Sequence, residues 1–243
     1  MWDRLAIPSV AGTHSLEVTT MNTRPTRILA AVCLVLTALL SVVSMLWQPE
    51  FSADPAARLS AIDAAGSSAT VSAVAFVLAQ LPFLVAAVAV ALLAHPHAPR
   101  AAWTGGVLGV VGGFGHSVFG GLALGYLALA ADATHRPAMG AAITRAEAGP
   151  ATLFMAMGLV GTVLGLVVLG IALFRSRAVP RWVPIALWSF VVLEFALSNV
   201  AAWASLASGV VYLAAFGGIA AHLLRDREGA PIGRGTSASA VEV

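Results

Sequence analysis

No charged residue interrupts residues 101 to 131, a run of 31 positions between Arg100 and Asp132. A helix needs ~20 residues to cross a hydrocarbon layer of ~30 Å, at ~1.5 Å per residue. Three more apolar blocks share this property, residues 28 to 47, 69 to 94 and 151 to 174, and a fourth, residues 183 to 224, is broken only by Glu194. The last has 42 residues, which as one helix would measure ~63 Å, so it must fold back. Its turn is expected near residues 199 to 205, where Asn199, Trp203 and Ser205 cluster. The result is an all-α integral membrane protein of six transmembrane helices.

Composition agrees. Hydrophobic residues make up 59% of the chain and charged residues 10%, against about 25% charged in an ordinary soluble domain. All thirteen basic residues are arginine. Without lysine, neither a retinal Schiff base nor a Walker A phosphate loop can form. The single cysteine, Cys33, rules out an intrachain disulfide and the paired-cysteine zinc patterns. The first apolar block is too long for the core of a signal peptide and is not followed by a small-x-small cleavage site. Residues 1 to 26 and 225 to 243 are polar or Gly/Ser-rich and are expected to be disordered cytoplasmic segments flanking a membrane domain of residues 27 to 224. Met21 opens "MNTRPTR", which reads as an alternative start.

Arginine placement orients the chain. With six spans, Arg4, Arg24, Arg27, Arg100, Arg175, Arg177, Arg181, Arg225, Arg227 and Arg234 fall on one side, and Arg58, Arg136 and Arg145 on the other. Ten against three puts both termini in the cytoplasm of a bacterial inner membrane. The excess of arginine is thereby a matter of topology, and nucleic acid is not an expected partner.

The two longer external loops carry helix signals. Asp54 and Pro55 open one, with Leu59 and Ile62 three apart and Gly66 as a stop. Pro137 opens the other, with Met139 and Ile143 four apart and Gly149 as a stop. Both are expected as short amphipathic helices on the outer membrane surface. "AAGSSAT" and "EAGPAT" precede the second and fourth spans, and "HAPRAAW" and "AVPRWV" follow them. This weak repeat suggests tandem helical hairpins.

Within the third span, Gly105, Gly109, Gly113, Ser117, Gly121 and Gly125 recur every fourth residue. Small-xxx-small spacing lets helix backbones approach in lipid, and the stripe makes this span a central helix. The same span holds His116. Gln80 and Glu194 lie at similar depth, ~20 to 24 Å from the arginine-bearing helix ends, with Ser198 one turn beyond Glu194. A charge at mid-membrane costs roughly 2.5 to 3.5 kcal/mol, so such groups seek partners in the bundle interior. His116 and Glu194 are accordingly expected to pair, directly or through Gln80 or a water.

Other chemistry is less well supported. Bis-histidine haem needs facing histidines, and only His116 is deep. His95, His97 and His222 lie at helix ends and read as solvated, not as metal ligands. Met155 and Met157 read as packing. There is no GxSxG elbow and no deep aspartate. The sequence therefore points to a non-enzymatic membrane protein without cofactor or metal, with a buried polar layer of His116, Glu194, Gln80 and Ser198. Its role is either structural, or that of a small proton-linked transporter, or that of a membrane subunit packing against a homo-oligomeric or other membrane partner in the lipid bilayer.

Overall fold

The computed structural model describes residues 23–50, 52–198 and 200–225. The sequence expectations for residues 1–22 and 226–243, and for Asn199, fall outside the described residues.

Eight helices follow one another: α1 (Arg24–Leu46), α2 (Pro55–Ala65), α3 (Ser67–Ala94), α4 (Pro99–Ala130), α5 (Arg136–Glu147), α6 (Ala151–Ser176), α7 (Trp182–Val192) and α8 (Ala202–Arg225). A π-helical turn, Leu193–Leu197, prolongs α7. Five helices are long and apolar enough to cross a membrane, and α7 with its π turn is a shorter apolar sixth. Residues 24–26 belong to α1, not to the preceding segment, because Pro25 fits the first turn of a helix, where no N–H partner is needed. The π turn ends at Leu197 and α8 begins at Ala202, so Trp203 and Ser205 are already in α8. Trp203 is exposed on its flank.

The five long helices and α7 form a ring in chain order, each packing on the next: α1 on α3, α3 on α4, α4 on α6, α6 on α7, α7 on α8 and α8 back on α1. α2 precedes α3 as α5 precedes α6, so the order of a short helix before a long one recurs. Large apolar side chains such as Leu39, Leu81, Val107, Leu164 and Val210 face outward and are largely exposed. In water so broad an apolar surface would drive association. Here it is the face a helical membrane protein offers to lipid.

The two ends of the ring differ. At the arginine-bearing end, α3 touches α6 across the ring, and Ala87, Ala94, Leu169, Leu173, Val183, Leu187, Ile219 and Leu223 fill the interior. At the opposite end the interior is hollow; α2 and α5 pack on each other and on α3, α4 and α6 there, and Arg58 and Ile62 of α2 border the hollow. Asp54 caps α2 by accepting from the backbone N–H groups of Ala56 and Ala57, both at 3.2 Å, and Gly66 ends it with φ +56°. The expected apolar faces exist, but they do not point at a membrane surface. Leu59, Ile62, Met139 and Ile143 pack together with Tyr126 and Ala130 of α4. Burial against protein serves these short faces better because α4, at 32 residues, is long enough to reach them.

Helix contact in α4 also departs from the four-residue stripe. Gly105 meets Leu169 of α6, Gly109 meets Ala87 of α3, and Gly113 meets Leu84 and Phe83 of α3. Ser117 turns back to donate to the Gly113 carbonyl at 2.8 Å. Gly121 and Gly125 face open space. The closest approach to α6 joins one stripe glycine to two outside it: Gly109 lies on Gly165, Gly112 on Gly161 and Thr162, and Gly115 on Gly158. A step of four residues advances 400°, so the stripe drifts off the α6 face, whereas mixed steps of three and four residues stay on it.

Candidate functional site: a chamber between the helices

The hollow half of the ring is a chamber of about 390 Å³. It is bordered by Thr37, Ser41 and Ser44 of α1, by Phe76, Gln80 and Phe83 of α3, by His116, Phe119 and Tyr126 of α4, by Thr162 and Leu166 of α6, by Phe190, Glu194 and Phe195 of α7 and its π turn, and by Tyr212 of α8. Its rim includes Gln48, Glu50 and Arg58, of which Gln48 and Glu50 are exposed. The floor is the packed half of the bundle. Counted from the arginine-bearing helix ends, Thr37, Gln80, His116, Thr162, Glu194 and Tyr212 lie ~18 to 25 Å deep.

Three of the four expected polar residues thus border one space, but they do not bond to one another. The His116–Glu194 pair is corrected on this point. α4 packs on α3 and α6, while α7 packs on α6 and α8, so the chamber separates the two helices. His116 is half-buried between α3 and α6. Its Nδ1 lies 3.4 Å from the Thr162 hydroxyl, and its ring meets Phe76 edge-on with centroids 5.6 Å apart. Gly158 makes room for it, since a Cβ there would come within 2.5 Å of the imidazole. Gln80 is not a bridge. Its amide donates to the Phe76 carbonyl of its own helix at 2.8 Å, leaving its carbonyl oxygen for the chamber. Ser198 does not border the chamber but donates to the Glu194 backbone carbonyl. A π turn shifts backbone pairing by one residue, and this hydroxyl takes up an acceptor at that irregularity.

Glu194 finds its partner on α8. The fully buried Ser208 hydroxyl lies 2.6 Å from Glu194 Oε2 and 2.8 Å from the Ser205 carbonyl oxygen. A hydroxyl has one proton to give and lone pairs to accept with. Facing a carboxylate, Ser208 donates to Glu194. Facing a carboxylic acid, it accepts from Glu194 and donates to Ser205. The site therefore accommodates the carboxyl group with or without its proton. Beside it, Phe190 stacks on Tyr212 at 4.2 Å, and Phe195 meets Phe190 edge-on at 6.2 Å.

The mouth is held by an ion pair the sequence reading missed. Arg58 of α2 donates to both carboxylate oxygens of Glu147 in α5, at 2.6 and 3.4 Å. Tyr126 of α4 donates to the same carboxylate at 3.0 Å. Arg136 pairs with Asp63, again joining α5 to α2. Two of the three arginines on this side are thus spent on fixing the short helices. Thr37 presents a different signal: its hydroxyl is buried without a hydrogen-bond partner. Neither Ser208 nor Thr162 was singled out, because a hydroxyl within an apolar run usually satisfies itself on its own helix. Among the described residues, no group of three or more His, Cys, Asp or Glu side chains is placed to hold a metal ion.

An apolar outer shell and a closed ring of about six spans around a chamber with a few polar groups define a polytopic helical membrane protein. The chain belongs to the family described as a domain of unknown function, DUF4386, which it matches over residues 29–225, from α1 to the end of α8. No curated protein and no solved structure matches it.

Proposed function

We propose that this protein is a non-enzymatic membrane carrier that takes a small solute into the chamber and links its passage to proton exchange at Glu194. The observation behind this reading is the chamber itself. A purely structural polar layer would be dry and mutually bonded, whereas Gln80, His116 and Glu194 border a shared space of about 390 Å³ with hydrogen-bonding capacity to spare. The two acceptors around Ser208 support the proton link. Irregular backbone at this depth, the π turn at Glu194 and Pro82 inside α3, is tolerated in membranes where it borders a cavity.

The arginine bias supports one direction. With the packed end on the cytoplasmic side of a bacterial inner membrane, the chamber opens outward beneath α2 and α5. A tag placed after Arg225 then reports a cytoplasmic location, and one between Ala131 and Pro150 reports the outside.

The test is a thermal-shift series of small cationic, anionic, zwitterionic and neutral solutes on the purified chain. Any stabilising solute is then followed into proteoliposomes enclosing a pH-sensitive dye. The reading expects a stabilising solute whose effect is lost in Glu194→Gln and whose entry moves protons. Identical responses of the native chain and Glu194→Gln to every solute contradict it.

A second reading, a subunit that packs against a membrane partner or another copy of itself, draws on the open faces of Gly121 and Gly125. It expects Gly121→Leu to abolish a cross-linked species that the native chain forms in the membrane.

A further inference from the structure

Among the described residues, the chamber carries one carboxyl group at depth and no arginine below its rim. Arg58, at the rim, is held by Glu147 at 2.6 Å. The other charged rim residue is Glu50, which is exposed. A solute entering here meets a negative rim and ends at Glu194. It also meets aromatic rings on nearly every wall: Phe76 and Phe119 at the α3–α4 side, and Phe190, Phe195 and Tyr212 beside the carboxyl group. Aromatic faces attract cations, most strongly where water is excluded, while an anion would be repelled by both the rings and the carboxylate. A small hydrated metal ion is poorly matched to this lining, because it needs a set of oxygen ligands and the walls are mainly carbon.

From this combination we infer that the chamber binds a lipophilic organic monocation, a substituted ammonium carrying an apolar group, with Glu194 as its counter-ion and the rings of Phe190, Phe195 and Tyr212 around its apolar part. The inference rests on the carrier reading and names its substrate class. It also gives the proton link a simple form. One carboxyl group cannot hold a proton and neutralise a cation at once, so arrival of the cation releases the proton, and Ser208 turns from Ser205 to Glu194 as it leaves.

The probe is radiolabelled benzyltrimethylammonium, measured by equilibrium dialysis against the purified full chain in detergent, with phenylacetate and benzyl alcohol as anionic and neutral competitors. Saturable binding is expected, displaced by unlabelled cation and not by phenylacetate. Glu194→Gln, which keeps a partner for Ser208, should weaken it roughly tenfold or more, and Phe195→Leu several-fold. Phe195→Leu guards against misfolding of the carboxyl variant, since it leaves every charge in place. Proton release on binding should vanish in Glu194→Gln. The cation assignment is overturned if no saturable binding occurs, if phenylacetate competes as well as the cation, or if Glu194→Gln binds with native affinity. The carrier reading falls with it only if Thr162→Cys, deep in the chamber, is also inaccessible to a water-soluble thiol reagent.

Discussion

The Ser208 hydroxyl, fully buried in α8, donates to Glu194 Oε2 at 2.6 Å and so fixes the π turn that ends α7 against α8. This bond holds the one deep carboxyl group at the chamber wall. Ser208→Ala removes the hydroxyl and leaves Glu194 without its bonded partner. Losing a hydrogen bond to a buried polar group costs about 1 to 3 kcal/mol. A lower thermal midpoint in detergent is expected, and proton exchange by the chain should shift in pH dependence. An unchanged midpoint would place the hydroxyl outside the interaction.

His116 and Glu194 hold different partners on different helices, Thr162 on α6 and Ser208 on α8. Groups without a shared partner contribute additively, within about 0.5 kcal/mol. The stability losses of His116→Leu and Glu194→Leu should therefore sum in the double variant. A double variant more stable than either single one would restore the direct pair that the sequence alone suggests.

The glycines of α4 should divide sharply. A Cβ on Gly112 would lie 2.3 Å from the Thr162 backbone nitrogen, and one on Gly115 would lie 2.3 Å from the Gly158 nitrogen. Backbone cannot step aside as a flexible side chain can, so Gly112→Ala and Gly115→Ala should cost about 1 to 3 kcal/mol or more, as overpacked cores do. Gly121→Ala and Gly125→Ala meet nothing within 4 Å. They should leave stability unchanged or raise it by up to about 1 kcal/mol, the helix preference of alanine over glycine. Equal effects across the four would mean that α4 and α6 do not approach as described.

The spans were legible because lipid imposes one strong rule, long apolar runs without charge, and α1, α3, α4 and α6 obey it plainly. The caps of α2 were legible for a local reason, since Asp54, Pro55 and Gly66 act within a few residues of chain. Pairing across the bundle was not. Depth along a helix follows from counting residues, and Gln80, His116 and Glu194, expected at similar depth, border one chamber. Which helices are neighbours depends on the closed ring, and no periodicity in a single helix reveals that α4 faces α6 and not α7. The glycine stripe misled for a related reason. A regular spacing looks like a face, but Gly121 and Gly125 have rotated off it by the end of the helix.

Arg58 and Glu147 join α2 to α5 with both side chains mostly buried. Glu147→Ala leaves the guanidinium without its carboxylate and Tyr126 without an acceptor, a loss of about 1.5 to 3 kcal/mol for bonds to a charged group. The double change Arg58→Leu with Glu147→Leu should cost less than the two single losses combined, because no uncompensated charge remains. Melting in detergent at low and high salt checks this. A strictly additive double variant would show that the pair is only a surface contact.

The central claim is that water reaches the layer of His116 and Glu194 through the mouth beneath α2 and α5. The chain's single cysteine, Cys33, is buried outside the chamber, so Cys33→Ala gives a clean background. Single cysteines then replace Ser41 and Thr162 on the chamber wall and Leu39 on the outer apolar face, and intact cells are treated with a membrane-impermeant thiol reagent. Modification of Ser41→Cys and Thr162→Cys from outside the cell is expected, and none of Leu39→Cys. Protection of both wall positions, with an external-loop control such as Ser60→Cys fully labelled, would contradict it.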